Sequence, residues 1–210
     1  MSDGIGEFQL DVLKEIGNIG AGHAATSLSD LLDRTIDMKV PTVRKATFEE
    51  ATEMTGGPEE MVVTTFLRVL GDAPATMFFI LQPDQADYFT KEMIGQTQGS
   101  FKDLSAGTMM YSAAQELGNI LAGSYLSALS DFTKLDLQPS VPELTVDMFG
   151  AIVNSGLVEV SNETDEVIIV ETVLLDPLKD EGINGYFLLL PDPGSYRVIF
   201  ESLGVSTDEY

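Results

Sequence analysis

The 210 residues carry 34 acids against 11 lysines and arginines, a formal net charge of −23. A charge of that sign repels nucleic-acid phosphates and anionic lipid surfaces, so neither is an expected partner. No cysteine and one histidine, His23, exclude disulfides, thiol catalysis, cysteine-ligated zinc and any multi-histidine metal centre. An apolar content of 44% over this length predicts one domain with a large core. There is no apolar run of about 18 residues, and the start MSDGIGEF lacks the basic and apolar stretches of a leader, so a cytoplasmic location is expected.

In chain order, the periodicity predicts a long helix over about 7–33, a strand over about 35–43, a short helix over about 47–54 and strands over about 60–70 and 75–82. The two strands are joined across Gly71-Asp72-Ala73-Pro74. A helix then begins at Pro83-Asp84, where proline and an acid suit a first turn. The same order follows again. A long helix is predicted over about 109–132, a strand over about 134–139, a short helix over about 143–154 and strands over about 165–175 and 184–190, with a terminal helix after Pro191-Asp192.

The letters repeat as well as the elements. Asp11-x-x-x-Glu15-x-x-Asn18 returns 101 residues later as Ser112-x-x-x-Glu116-x-x-Asn119, and each asparagine is followed 23 positions on by a proline, Pro41 and Pro142. The same offset pairs Gly17 with Gly118, Ile19 with Ile120, Ala21 with Ala122, Gly22 with Gly123 and Asp30 with Asp131. Farther on, Phe78 to Asp84 matches Tyr186 to Asp192 at an offset of 108, so the second half has gained about seven residues, expected around Asn162 or Asp176 to Gly182. Many shared positions are polar or glycine, which the apolar rhythm of two unrelated helices would not produce. The expected fold is therefore α+β, a two-layer packing of two long helices on a mostly antiparallel sheet. It is a single domain built from half-repeats over about 7–95 and 108–205, with pseudo-two-fold symmetry and no need of a second copy, hence a monomer.

At about 100° per residue, with Asp11 at zero, Glu15 falls near 40° and Asn18 near −20°, opposite Leu13, Ile16, Gly20, Ala24 and Leu31. Ser112, Glu116 and Asn119 take the same angles on the second long helix. One Glu and Asn on an exposed face would be ordinary solvated residues. Repeating Gly-Asn in mid-helix needs a local reason, because asparagine is a poor helix former and glycine costs roughly 1 kcal/mol against alanine. For Gly17, Gly20, Gly22, Gly118 and Gly123 the favoured reason is close approach to a neighbouring element. Gly17 to Gly22 is not a nucleotide loop: no strand leads into it, the G-x-G-x-x-G order is absent and no P-loop lysine follows. His23, with Ser124 at the matching position, is given no catalytic role.

Glu and Asn without histidine, cysteine or metal cannot drive most hydrolases. Phosphoryl transfer is the exception, since an amide that orients water suffices when a partner brings the phosphate and magnesium. A neighbouring carboxylate can anchor a lysine of that partner.

With acid or Ser, then Glu, then Asn, then a distant Pro, the chain resembles the CheC/CheX/FliY family of chemotaxis phosphatases, over essentially its whole length. The segments E-I-G-N-I-G-A-G and E-L-G-N-I-L-A-G carry the resemblance, and two intact motifs place it with the CheC-like members. The resemblance implies hydrolysis of the phosphoaspartate of the response regulator CheY. Asn18 and Asn119 would direct water, and Glu15 and Glu116 would bridge to a lysine of CheY. Asp11, Ser112, Pro41 and Pro142 would shape and orient the helix and the strand after it. Magnesium would sit on CheY, with no cofactor held by this chain. The resemblance also implies a second partner, the receptor deamidase CheD, for which Asp147 and Phe149, expected on the short helix of the second half, are the candidate surface. Related flagellar-switch folds lack the Glu and Asn and act as scaffolds, which leaves an adaptor that chiefly controls CheD as the alternative function.

Overall fold

The computed structural model describes residues 6–153 and 166–204. The first half contributes α1 (Glu7–Leu32), β1 (Asp37–Thr47), α2 (Phe48–Met54), β2 (Met61–Gly71), β3 (Ala75–Leu81) and α3 (Pro83–Ile94). The second contributes α4 (Thr108–Thr133), β4 (Leu137–Pro139), β5 (Glu143–Met148), β6 (Glu166–Leu175), β7 (Ile183–Pro191) and α5 (Ser195–Ser202), with residues 149–153 helical after β5.

Local chemistry sets the helix ends. Gln9 reaches back to accept from the Gly6 N–H at 2.9 Å, giving α1 half of a capping box. Both long helices close in a left-handed residue, Asp33 (φ 50°) and Lys134 (φ 59°), whose N–H groups return to the Ser29 and Ser130 carbonyls. Pro83 opens α3 at its first turn and Gly95 (φ 64°) ends it, as its sequence requires.

All strand pairs are antiparallel, in the order β1-β6-β7-β3-β2-β4, and β5 continues along the same edge of β2 as β4. The halves are thus interleaved: β1 of the first lies on β6 of the second, and β4 and β5 of the second lie on β2 of the first. The registers correspond. Thr47 pairs with Glu166 and Met148 with Met61, and Met148 lies 101 after Thr47 as Glu166 lies 105 after Met61. The helix offset of 101 becomes 105 at β6 and 108 at β7, so the seven extra residues are split. Four fall between β5 and β6, which includes Asn162 and lies mostly outside the described residues, and three fall between β6 and β7.

One face of the sheet carries α1, α3, α4 and α5, and their shared core includes Leu28, Phe89, Leu117, Leu121, Phe187 and Phe200. The other face is covered by the smaller α2 and the turn at 149–153 through Ala51, Phe149 and Ile152, which pack on Val62, Phe78, Ile169 and Leu188. Across the first core, Arg34 after α1 donates to the Asp176 carboxylate at 2.6 and 3.1 Å, and Tyr88 of α3 donates to it at 2.8 Å.

Two expectations need correction. Residues 143–148 form β5, not the start of a helix, and β1 runs on to Thr47 rather than ending near 43. The reason is the same in both halves: a ladder partner, β2 for residues 143–148 and β6 for residues 42–47, supplies backbone hydrogen bonds that a local pattern cannot reveal.

Candidate functional site

Glycine spacing sets each long helix on its support. A Cβ at Gly20 would lie 3.0 Å from the Tyr125 Cα and 3.1 Å from the Ser124 carbonyl, so α1 and α4 meet there backbone to backbone. A Cβ at Gly118 would fall 2.5 Å from Thr65 Oγ1, which puts α4 tight against β2. Gly17 faces Val40 and Tyr125 at ordinary contact distance, whereas Gly22 and Gly123 meet nothing within 4 Å. Close approach therefore accounts for Gly20 and Gly118 but not for Gly22 or Gly123. His23 is exposed.

On α1, Asp11 and Glu15 are exposed and Asn18 is half-buried, one turn apart on the outer face. The Asn18 amide is fully engaged with backbone. Its Nδ2 donates to the Lys14 carbonyl (3.0 Å) and the Val40 carbonyl (3.2 Å), and its Oδ1 accepts from the Val40 N–H (3.0 Å). Val40 is 2% exposed, while the following Pro41 points outward at a register jump in β1 between Lys39 and Thr42. Proline is at home in such a bulge because it has no N–H to give to the ladder.

On α4, Ser112, Glu116 and Asn119 are all exposed. They line an open cleft of about 430 Å³ together with Gln115, Pro139, Ser140, Val141 and Pro142. Here the strand contact is made by Gln115, whose Nε2 donates to the Pro142 carbonyl. Asn119 makes no side-chain hydrogen bond among the described residues. The Val-Pro pair is turned over relative to the first site: Val141 is 80% exposed and Pro142 is buried. Ser140 fixes this segment to β2, its Oγ accepting from the Arg68 N–H at 3.0 Å and its N–H donating to the Arg68 carbonyl at 2.8 Å.

Each motif thus brings its acid or Ser, Glu, Asn and Pro to one helix–strand junction, once with the amide occupied and once with it free. Among the described residues no group of three or more His, Asp or Glu could hold a metal ion. No described helix is long and apolar enough to cross a membrane. Asp147 is exposed, on strand β5 rather than on a helix, and Phe149 is 1% exposed in the core beneath 149–153, so it offers no surface to a partner in this structure. Two contributors escaped the sequence: the Val40 backbone, which carries no side-chain signal, and Gln115, whose only trace was the Lys14-to-Gln115 difference between the repeats.

A family model for the CheC-like family matches twice, over residues 8–44 and 109–146, each time spanning a motif helix and its proline. Over 204 residues, 97% of this chain and 98% of the relative, the sequence is 45% identical to the CheY-P phosphatase CheC of Bacillus subtilis. The chain belongs to the CheC-like family. Its fold is shared with FliY of Thermotoga maritima, with a TM-score of 0.75 at 20% identity over 95% of this chain and 98% of that one. A chain of a CheX–CheY–BeF3–Mg2+ complex from Borrelia burgdorferi also matches, with a TM-score of 0.50 at 15% identity over 82% of this chain and 96% of that one.

Proposed function

We propose that the protein is a phosphatase of phosphorylated CheY, and that Glu15, Asn18, Glu116 and Asn119 are its working residues. The observation that carries this reading is the exposed Glu116–Asn119 pair above an open cleft, in a chain 45% identical to a protein named as a CheY-P phosphatase. An amide free of protein hydrogen bonds can hold a water on one side of a phosphoryl group docked against it. Attack by that water forms a new P–O bond as the bond to the aspartyl oxygen breaks, releasing orthophosphate and the free carboxylate. The loose transition state asks chiefly for alignment and charge neutralisation, and CheY supplies the latter with its own magnesium and lysine. Glu116 or Glu15 would hold that lysine as an ion pair, which fixes the angle at which the helix lies on the partner.

The repeated motif, matched twice by the family model, supports two such sites in one internally duplicated chain acting as a monomer. The partnership with CheD implied by the family resemblance is carried into this proposal. Asp147 is the accessible half of its candidate surface, and charge reversal there should weaken CheD binding; unchanged binding would remove that surface.

The decay of phosphorylated CheY with magnesium present tests the main reading, comparing the protein with Asn18→Ala, Asn119→Ala and the double variant. Loss of catalysed decay in the double variant with an unchanged circular dichroism spectrum is the expected result. Equal decay in all four would overturn the phosphatase and favour an adaptor for CheD.

A further inference from the structure

The two Val-Pro pairs hold the same sequence in opposite orientations. At the first junction Val40 is inside, its methyls 3.5 Å from where a Cβ on Gly17 would lie, Pro41 is outside and Asn18 is tied to the Val40 backbone. At the second, Val141 is outside, Pro142 is inside and Asn119 is free, and the space beneath Gly118 is taken by Thr65 instead of a valine. A strand that turns over by one residue exchanges its inner and outer side chains, because successive side chains alternate between faces. The two junctions are therefore two settings of one device rather than two unrelated geometries.

What differs locally is the side chain four residues before each asparagine. Gln115 has a short, planar amide that reaches the Pro142 carbonyl and can hold the proline inward. Lys14 occupies the matching position, and its ammonium has no hydrogen-bond partner among the described residues. An ammonium on a flexible stem is strongly hydrated and keeps no fixed length to a carbonyl. With that anchor missing, the strand at the first junction settles with Val40 inward, and the amide that meets it is Asn18 itself.

We propose that the residue at positions 14 and 115 is a positioning residue that selects the setting of the adjacent Val-Pro pair: Gln115 keeps Asn119 free for the reaction, and Lys14 leaves Asn18 sequestered. This rests on the phosphatase reading for its consequence, but not for its geometry. The first site is then a reserve that opens only when something, such as the docked partner, displaces the Val40 backbone from Asn18. The second site stands ready without rearrangement.

The test exchanges the two residues. Hydrogen exchange of the Asn18 and Asn119 side-chain amides is followed by NMR, and dephosphorylation of CheY is measured for Lys14→Gln in an Asn119→Ala background and for Gln115→Lys in an Asn18→Ala background. Lys14→Gln should speed exchange at Asn18 by on the order of tenfold, the weight of about two net hydrogen bonds, and raise kcat with little change in KM. Gln115→Lys should slow exchange at Asn119 and lower kcat, and Gln115→Glu, which cannot donate to the Pro142 carbonyl, should follow it. Unchanged exchange at Asn18 in Lys14→Gln and at Asn119 in Gln115→Lys would overturn the proposal and leave Thr65 as the cause of the outward valine. Altered exchange with no phosphatase activity in any variant upholds the device and overturns the phosphatase reading instead.

Discussion

Phe79 and Phe187 stand opposite each other on the central strand pair β3–β7, their ring centroids 4.7 Å apart, and each is the other's counterpart at the offset of 108. The β3–β7 register is symmetric about this pair, with Phe78 opposite Leu188 and Ile80 opposite Tyr186. Tyr125 of α4 packs on the same Phe187 ring in a tilted arrangement, the centroids 4.4 Å apart. Phe187→Ala should therefore cost about 3–5 kcal/mol, read as a lower urea midpoint at constant m-value. Phe187→Leu should cost clearly less.

The glycines of the motif helices divide by what surrounds them. Gly118→Ala places a Cβ into Thr65 and should destabilise by about 1–3 kcal/mol. Gly123→Ala meets open space and should stabilise by about 0.5–1 kcal/mol through helix propensity alone. Paired urea titrations of the two variants read opposite signs.

Asp176 is buried, which works against its charge, but hydrogen bonds from Arg34, the Leu178 N–H and Tyr88 outweigh burial and hold its carboxyl below the ordinary range. Burial and the donation to Asp176 push Tyr88 up to about 12. A carboxyl whose folded value is depressed adds stability that is present above the unfolded value, about 3.9, and is lost as pH falls through the folded value. Thermal stability should accordingly decline below about pH 4. Asp176→Asn should flatten that acid limb while costing about 3 kcal/mol at neutral pH, because Arg34 loses a buried partner.

The second site should carry most of the resting activity. Asn119→Ala should lower catalysed dephosphorylation by about tenfold or more, the scale of one lost positioning contact in the transition state. Asn18→Ala should lower it far less, because that amide is already bound to Val40. Single-turnover decay of the phosphorylated partner checks the ranking.

The long helices, their shared outer stripe and the antiparallel pairing of strands joined by short turns were legible because a 3.6-residue period, a repeated Gly-Asn and turn residues are local signals. Residues 143–148 were misread because Leu144, Val146 and Met148 alternate too briefly to declare a strand, and only the pairing with β2 decides it. The site was legible in its letters and not in its state. A helical wheel places Asn18 and Asn119 on equivalent faces, but it cannot see which way Val40 and Val141 turn. That orientation depends on a contact between residues far apart in the chain, Gln115 with Pro142.

The interleaving of the sheet has a consequence for any attempt to cut the protein in two at residues 96–107. Neither fragment would own a finished sheet: the first would expose the edge of β2 and leave β1 with no neighbour, and the second would leave β6 open and β4 and β5 adrift. Unpaired edges are templates for further strands. A lone half should thus be insoluble or find another copy of itself, and mixing the two fragments should restore the fold through strand exchange, without the peptide bond that once joined them.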